Sequence, residues 1–258
     1  MLKTNYHTHT ARCNHATGTD EEYVLAAIAG GYELLGFSDH TPWKYASSYV
    51  SDNRMLPEEL PDYIASIRQL KEQYKSKIDI KIGLECEYFP QYMDWLKEQI
   101  SLYELDYVIF GNHYYMSDEV SPYFGVFTTD HEMLDKYEES IIKGMETGIY
   151  AYVAHPDLFM ASYETFDDHC IQMSKRICQA AKKLHLPLEY NLGTVTYKEY
   201  MGEHLFPNPD FWKIAKDEGC TAIIGVDAHR PRWLQLPLFY TAAALFLKSI
   251  GMKTITTI

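Results

Sequence analysis

Nine side chains able to bind a metal ion are spread along almost the whole chain: His7, His9, His15, His40, Glu85, His113, His155, Asp227 and His229. Imidazole and carboxylate donors suit Zn²⁺, Fe²⁺ or Mn²⁺. Nine donors exceed one tetrahedral site, and a structural zinc normally closes on four. A large, open, mixed cluster points instead to hydrolysis. Two ions about 3.5–4 Å apart can share a bridging hydroxide as nucleophile and stabilise the oxygens of an in-line displacement.

Such scattered donors meet only if a fold gathers strand ends in one place. The opening run Leu2 to His9 reads as a strand, and its period of two puts His7 and His9 on one face. Apolar runs then stop repeatedly on a donor: 34–38 before Asp39-His40, 78–84 before Glu85, 107–112 before His113, 150–154 before His155, and 221–226 before Asp227-Ala228-His229. The run 186–191 ends on Asn191 without a metal donor, and 253–257 reads as a short last strand.

Helical patterns lie between these runs. Thr19 with Glu22 is a capping box opening a helix that stops near Gly30-Gly31. Pro57 suits the first turn of a helix with Ile64, Ile67, Leu70 and Tyr74 on one face. Further helices are expected over 91–102, 129–147, 166–185, 208–218 and 235–249. Seven strong strands alternating with helices imply parallel strands with right-handed crossovers. Donors at nearly every strand end favour closure into a distorted (βα)7 TIM-like barrel, because closure brings all the ends onto one rim.

Composition narrows the function classes. At 258 residues and 47% hydrophobic content, the chain can bury a core as one domain spanning residues 1–258. The apolar strands are too short to span a bilayer and the N-terminus does not resemble a signal peptide, so a cytoplasmic enzyme without a membrane partner is expected. A net charge of −13 argues against a nucleic-acid surface, which needs a basic footprint. Small cationic substrates fit better. The five cysteines lack C-x-x-C spacing and read as reduced packing residues, although Cys13 and Cys86 lie beside proposed donors.

The His7-Thr8-His9 start, the Ser38-Asp39-His40 strand end, Glu85, His113, the His155-Pro156-Asp157 segment and Asp227-Ala228-His229 resemble the polymerase and histidinol phosphatase (PHP) family over essentially the whole chain. Thr19 to Pro42 and the overall length are similar to its stand-alone histidinol-phosphate phosphatases. This resemblance implies the PHP fold and three divalent metal ions (Zn²⁺, Mn²⁺ or Fe²⁺). It implies that His7, His9, Glu85 and Asp227 hold the first, that Glu85, His113 and His155 hold the second with Glu85 bridging, and that His15, His40 and His229 hold the third. It further implies L-histidinol phosphate as the small-molecule substrate, cleaved to L-histidinol and phosphate in histidine biosynthesis. Glu85, Asp227 and His229 are then the donors expected at the reaction centre.

Phosphate contacts are expected from Asn14, Lys198, Arg230 or Arg232, which lie in or near predicted rim loops. Arg230 leads because it directly follows His229. Asn191 is expected to line the pocket, Tyr114, Tyr115 and Tyr123 to cover it, and His204 to approach it, whereas His131, His169 and His185 read as structural. The resemblance also implies phosphate-gripping arginines after the fifth and sixth strands, yet 159–162 and 194–203 contain none and only Lys198 is basic there. Other readings are a phosphoesterase acting on other monoesters or on nucleic-acid diesters, an amidohydrolase-like reaction at carbon, and a non-catalytic metal-binding module. The bridging Glu85, in place of a lysine, counts against the amidohydrolase.

Overall fold

The segments Leu34–His40 and Tyr107–Gly111 are buried along their whole length, and Asp79–Cys86 is buried over its last five residues. Strands buried on both faces belong in a parallel sheet covered by helices. The computed structural model describes residues 2–193 and 207–258 and shows that arrangement. Its strands are β1 (Thr4–Asn5), β2 (Leu34–His40), β3 (Asp79–Cys86), β4 (Tyr107–Gly111), β5 (Val153–Ala154), β6 (Leu188–Asn191), β7 (Thr221–Gly225) and β8 (Lys253–Thr254). Each pairs in parallel with the next in sequence.

The curled sheet draws its first and seventh strands together at the rim. Beyond β1, Thr8 bridges Ala228 in parallel, with His9 N–H donating to the Ala228 carbonyl at 3.0 Å and Ala228 N–H to the His7 carbonyl at 3.1 Å. At the opposite end β8 lies against the start of β7, and the Thr4 hydroxyl donates to the Thr256 carbonyl at 2.6 Å. The result is the expected distorted TIM-like barrel, with the short last strand present over two residues.

The first strand is shorter than the run Leu2 to His9 suggests. The Asn5 side chain takes the place of ladder bonds, its Oδ1 accepting from Val226 N–H at 2.8 Å and its Nδ2 donating to the His7 carbonyl at 2.9 Å. Helices α1 (Asp20–Ala29), α2 (Leu60–Tyr74), α3 (Met93–Leu102), α4 (Phe124–Phe127), α5 (His131–Glu146), α6 (Asp168–Lys183), α7 (Pro209–Asp217) and α8 (Pro237–Ser249) fall within or close to the expected spans, apart from the single-turn α4. The capping box at Thr19 and Glu22 is formed. Pro57 and Pro90 instead open short 3₁₀ turns ahead of α2 and α3.

Two apolar layers fix the barrel. The larger packs the helices against the outside of the sheet. The smaller plugs the inside with Tyr6, Leu34, Tyr107, Ile109, Tyr152, Ala154 and Ile223, and the Tyr107 hydroxyl donates to the Tyr6 carbonyl at 2.6 Å. Because the lower interior is filled with apolar groups, the polar side chains at the strand ends form a floor above it. Among the described residues no helix is long and apolar enough to cross a membrane.

Candidate metal centre

The nine expected donors all arrive at that rim. His7 and His9 follow β1, and His15 follows a 3₁₀ turn at Ala11–Cys13. His40 closes β2 directly opposite Glu85 of β3 in the ladder register. His113 stands just past β4, His155 immediately after β5, and Asp227 and His229 just past β7. His155 and Asp227 take positive φ angles of 31° and 52°. Such left-handed positions cost about 1–3 kcal/mol for non-glycine residues and collect at functional sites.

Six imidazoles meet in three facing pairs: His7 Nε2 to His9 Nε2 at 3.1 Å, His113 Nε2 to His155 Nε2 at 3.2 Å, and His15 Nε2 to His229 Nε2 at 2.9 Å. In five of the six rings Nδ1 faces a group that can only accept. His7 Nδ1 lies 2.9 Å from Glu189 Oε1, His113 Nδ1 3.0 Å from Glu87 Oε1, and His9 Nδ1 3.4 Å from Asp39 Oδ1. His15 Nδ1 is 2.7 Å from the Cys13 carbonyl and His229 Nδ1 3.1 Å from the Asp227 carbonyl. Carboxylates and carbonyls accept only, so these Nδ1 atoms carry hydrogen, and in the neutral ring Nε2 is then the lone pair. Facing lone pairs require a positive charge between them. Two imidazoles bound to one tetrahedral ion at about 2.0–2.1 Å place their nitrogens a little over 3 Å apart, close to the spacing seen here.

Glu85 connects two of the pairs. Its Oε1 lies 2.8 Å from His155 Nε2 and 3.3 Å from His113 Nε2, while its Oε2 lies 3.4 Å from His7 Nε2 and 3.1 Å from His40 Nδ1. Asp227 Oδ1 sits 3.1 Å from His9 Nε2 and 3.4 Å from His7 Nε2. Gly111 provides room for Glu85, since a Cβ there would lie 2.4 Å from Glu85 Oε1.

Burial alone would raise the Glu85 and Asp227 carboxyls, but the surrounding imidazoles outweigh it and hold both well below the usual range. Burial and the neighbouring His9 push His15, His40 and His229 down, so their nitrogens remain available as donors. For His7 and His9 burial acts in the same sense, but facing carboxylates prevail and leave both well above the ordinary value. Burial likewise opposes Glu85 and Glu87 at His113, which is raised to about 9. The carboxylates thus draw positive charge to these rings, and a divalent ion binding there would displace protons. The donor set fits metal ions.

Above the cluster opens a cavity of about 590 Å³ walled by Asp52, Asn53, Tyr114, Tyr123, Leu158 and Ala161. No lysine or arginine belongs to this wall among the described residues. Asn14 is turned away, donating Nδ2 to the Arg54 carbonyl at 3.2 Å, and neither it nor Arg230 lines the cavity. Asn191 is not part of the wall either. It is buried behind it, donating Nδ2 to Glu189 Oε2 at 2.8 Å and to Asp227 Oδ2 at 3.2 Å. Tyr115 faces outward to Glu139 at 2.8 Å, unlike Tyr114 and Tyr123. His131 and His169 stack on the outer helices at 4.3 Å. Lys198 and His204 lie outside the described residues.

Of the side chains that orient the donors, Asp39 is read in the sequence only as part of the Asp39-His40 strand end, and Glu87 and Glu189 are not singled out there at all. Glu87, one residue past β3, falls on the same side as Glu85 by the period of two, and Glu189 is a buried acid inside a four-residue strand. Either was a usable signal. Cys13 is fully buried with its thiol near ligand atoms of His9, His15 and His229, whereas the Cys86 thiol accepts from the Thr41 hydroxyl at 2.8 Å.

The PHP domain profile matches residues 5–193 of the chain. Over 97% of this chain and 94% of the relative, the sequence is 29% identical to a probable histidinol-phosphatase of Deinococcus radiodurans. It is 24% identical to the histidinol-phosphatase of Bacillus subtilis, covering 89% of this chain and 94% of that one. Among solved structures, a histidinol phosphate phosphatase of Lactococcus lactis, complexed with zinc, L-histidinol and phosphate, superposes with a TM-score of 0.73. The two are 22% identical, and the match covers 98% of this chain and 95% of the other.

Proposed function

The chain belongs to the PHP domain family, and on that footing we propose that it is a metal-dependent phosphomonoesterase that hydrolyses L-histidinol phosphate to L-histidinol and phosphate. The observation that carries the reading is the set of three facing imidazole pairs beneath an open cavity. Its full-length relatives named histidinol-phosphatase supply the substrate. The whole 258-residue chain acts as one catalytic unit in this reading.

Three divalent ions, Zn²⁺, Mn²⁺ or Fe²⁺, fit three pairs. His7, His9, Glu85 and Asp227 hold the first; Glu85, His113 and His155 hold the second; His15, His40 and His229 hold the third. When bound, such ions neutralise phosphate charge and make water a competent nucleophile at neutral pH. Glu85 sets the spacing of the first two sites, since each of its oxygens faces a different pair. Glu189, Asp39 and Glu87 lock the imidazoles of His7, His9 and His113 in the orientation that presents Nε2.

The cavity wall suits the rest of the substrate. Asp52 is exposed at the wall and forms no ion pair with a described residue, so its carboxylate is available to an ammonium group. Tyr114 and Tyr123 offer aromatic faces for an imidazole. A nucleic-acid diester would meet a wall with no lysine or arginine among the described residues, in a chain of net charge −13.

Phosphate release from L-histidinol phosphate, simple monoesters and short oligonucleotides, measured on one metal-loaded preparation, tests this. The expected order is L-histidinol phosphate far ahead of the monoesters, with no cleavage of the oligonucleotides. Preference for the diesters would overturn the substrate class.

A further inference from the structure

Arg54 is 3% exposed and does not itself line the cavity. Its guanidinium is shared between two carboxylates. On one side Nη1 and Nη2 donate to Glu87 Oε2 and Oε1 at 3.2 and 3.0 Å, the bidentate geometry that only arginine offers. On the other, Nε and Nη2 reach Asp118 Oδ2 at 3.2 and 3.0 Å. Nη1 also donates to the Thr41 carbonyl at 2.9 Å.

Each carboxylate has a second task. Glu87 Oε1 holds His113 Nδ1 at 3.0 Å, and Oε2 accepts from Trp43 Nε1 at 2.7 Å. Asp118 collects the segment 45–51, accepting from the Tyr45 hydroxyl at 2.7 Å and from Ser51 Oγ at 2.9 Å. The two segments also meet at the cavity, where Asn53 Nδ2 donates to the Tyr114 hydroxyl at 2.9 Å. Asn53 and Tyr114 are wall residues, so one guanidinium lies between the wall and an imidazole of the second pair.

We propose that Arg54 is a positioning residue that couples metal occupancy at His113 and His155 to the order of the segments 45–54 and 114–121 that wall the cavity. The proposal rests on the reading of His113 and His155 as metal ligands. The coupling follows from geometry: an ion that fixes the His113 ring fixes Glu87, which fixes the guanidinium plane, and that plane sets where Asp118 and the segments it gathers can sit. Coupling between two sites is reciprocal, so loosening the wall weakens the second metal site.

Hydrogen exchange of the full-length protein, stripped of metal and then reloaded with zinc, tests the coupling. Zinc should slow exchange about tenfold or more in both segments. Asp118→Asn, which keeps the shape while removing the ion pair, should lower zinc affinity by about tenfold, the lower end of the effect of losing support behind a ligand. It should also leave exchange in the two segments insensitive to zinc. Arg54→Lys, which cannot bridge both carboxylates, should behave the same way. If zinc fails to bind at all, the ligand reading fails and this proposal with it. If zinc binds but exchange in the wild-type segments does not change, or if folded Asp118→Asn keeps wild-type affinity, the coupling alone is overturned. The wild-type measurement decides the matter even if both variants fail to fold.

Discussion

Glu189 Oε1 lies 2.9 Å from His7 Nδ1, and both side chains are wholly buried, so a carboxylate deep in β6 sets the ring orientation of an imidazole that follows β1. The same carboxylate accepts from Asn191 Nδ2 at 2.8 Å and from His155 N–H at 3.2 Å. One anion thereby steadies parts of two imidazole pairs. Glu189→Gln removes the charge and retains the shape. Metal affinity should fall by about 10–100-fold, the usual consequence of losing a hydrogen-bond partner behind a ligating histidine. Competition against a chelator of known affinity measures this, and an unchanged constant would remove Glu189 from the account.

Gly225 makes space for that carboxylate. A Cβ at this position would sit 1.8 Å from Glu189 Oε1, so one added methyl must displace the side chain. Gly225→Ala should cost about 1–3 kcal/mol of stability, the range for overpacking a close-fitted interior. It should also reproduce the metal-binding loss of Glu189→Gln. Denaturant midpoints together with metal content check both, and wild-type values of each would show that the site is more pliable than its packing indicates.

Ala161 belongs to the cavity wall, which among the described residues has no arginine or lysine. An arginine here can reach toward phosphate and form charge-assisted hydrogen bonds. A hydrogen bond to a charged group contributes about 1.5–3 kcal/mol. Ala161→Arg should therefore raise kcat/KM for L-histidinol phosphate by about tenfold or more. Steady-state kinetics on the two proteins decide it, and no gain would make the missing arginine irrelevant to turnover.

Asp167 provides a pH prediction well away from the metal donors. Its Oδ1 caps α6 by accepting Cys170 N–H at 2.9 Å, while Oδ2 accepts from the Tyr163 hydroxyl at 2.8 Å and faces His131 Nε2 at 3.1 Å. The Cys170 amide first, and then the His131 and Tyr163 contacts, hold the carboxyl below its ordinary range. A depressed carboxyl contributes stability above its unfolded value, near 3.9, and loses it as the pH falls toward the folded value. Asp167→Ala should cost about 1 kcal/mol at neutral pH, as for other caps. The difference from wild type should shrink below about pH 4. Urea unfolding at several pH values tests this, and a gap that widened in acid would reverse the assignment.

All the donors but His15 were legible because each sits where an apolar run ends, and in a curled parallel barrel strand ends are neighbours in space. His7 and His9 needed only the period of two. Glu189 was less visible: it precedes Asn191 on a strand that ends without a metal donor, and its partner His7 lies 182 residues away in the chain. Asn14 and Arg230 lie outside the cavity lining, because proximity in sequence to a donor does not fix side-chain direction. The Asn14 amide instead bonds the Arg54 carbonyl, a contact across 40 residues. The short extent of β1 depended on Asn5 substituting its side chain for backbone bonds, which no periodicity reveals.

The most direct measurement is a zinc titration of chelator-stripped protein with phosphate release followed on the same samples. The facing pairs His7–His9, His113–His155 and His15–His229 predict three ions per chain, with hydrolysis of L-histidinol phosphate absent before zinc is added and restored as the sites fill. Full activity in metal-free protein, or saturation at fewer than two ions per chain, would contradict the claim that these imidazoles are drawn together to hold cations.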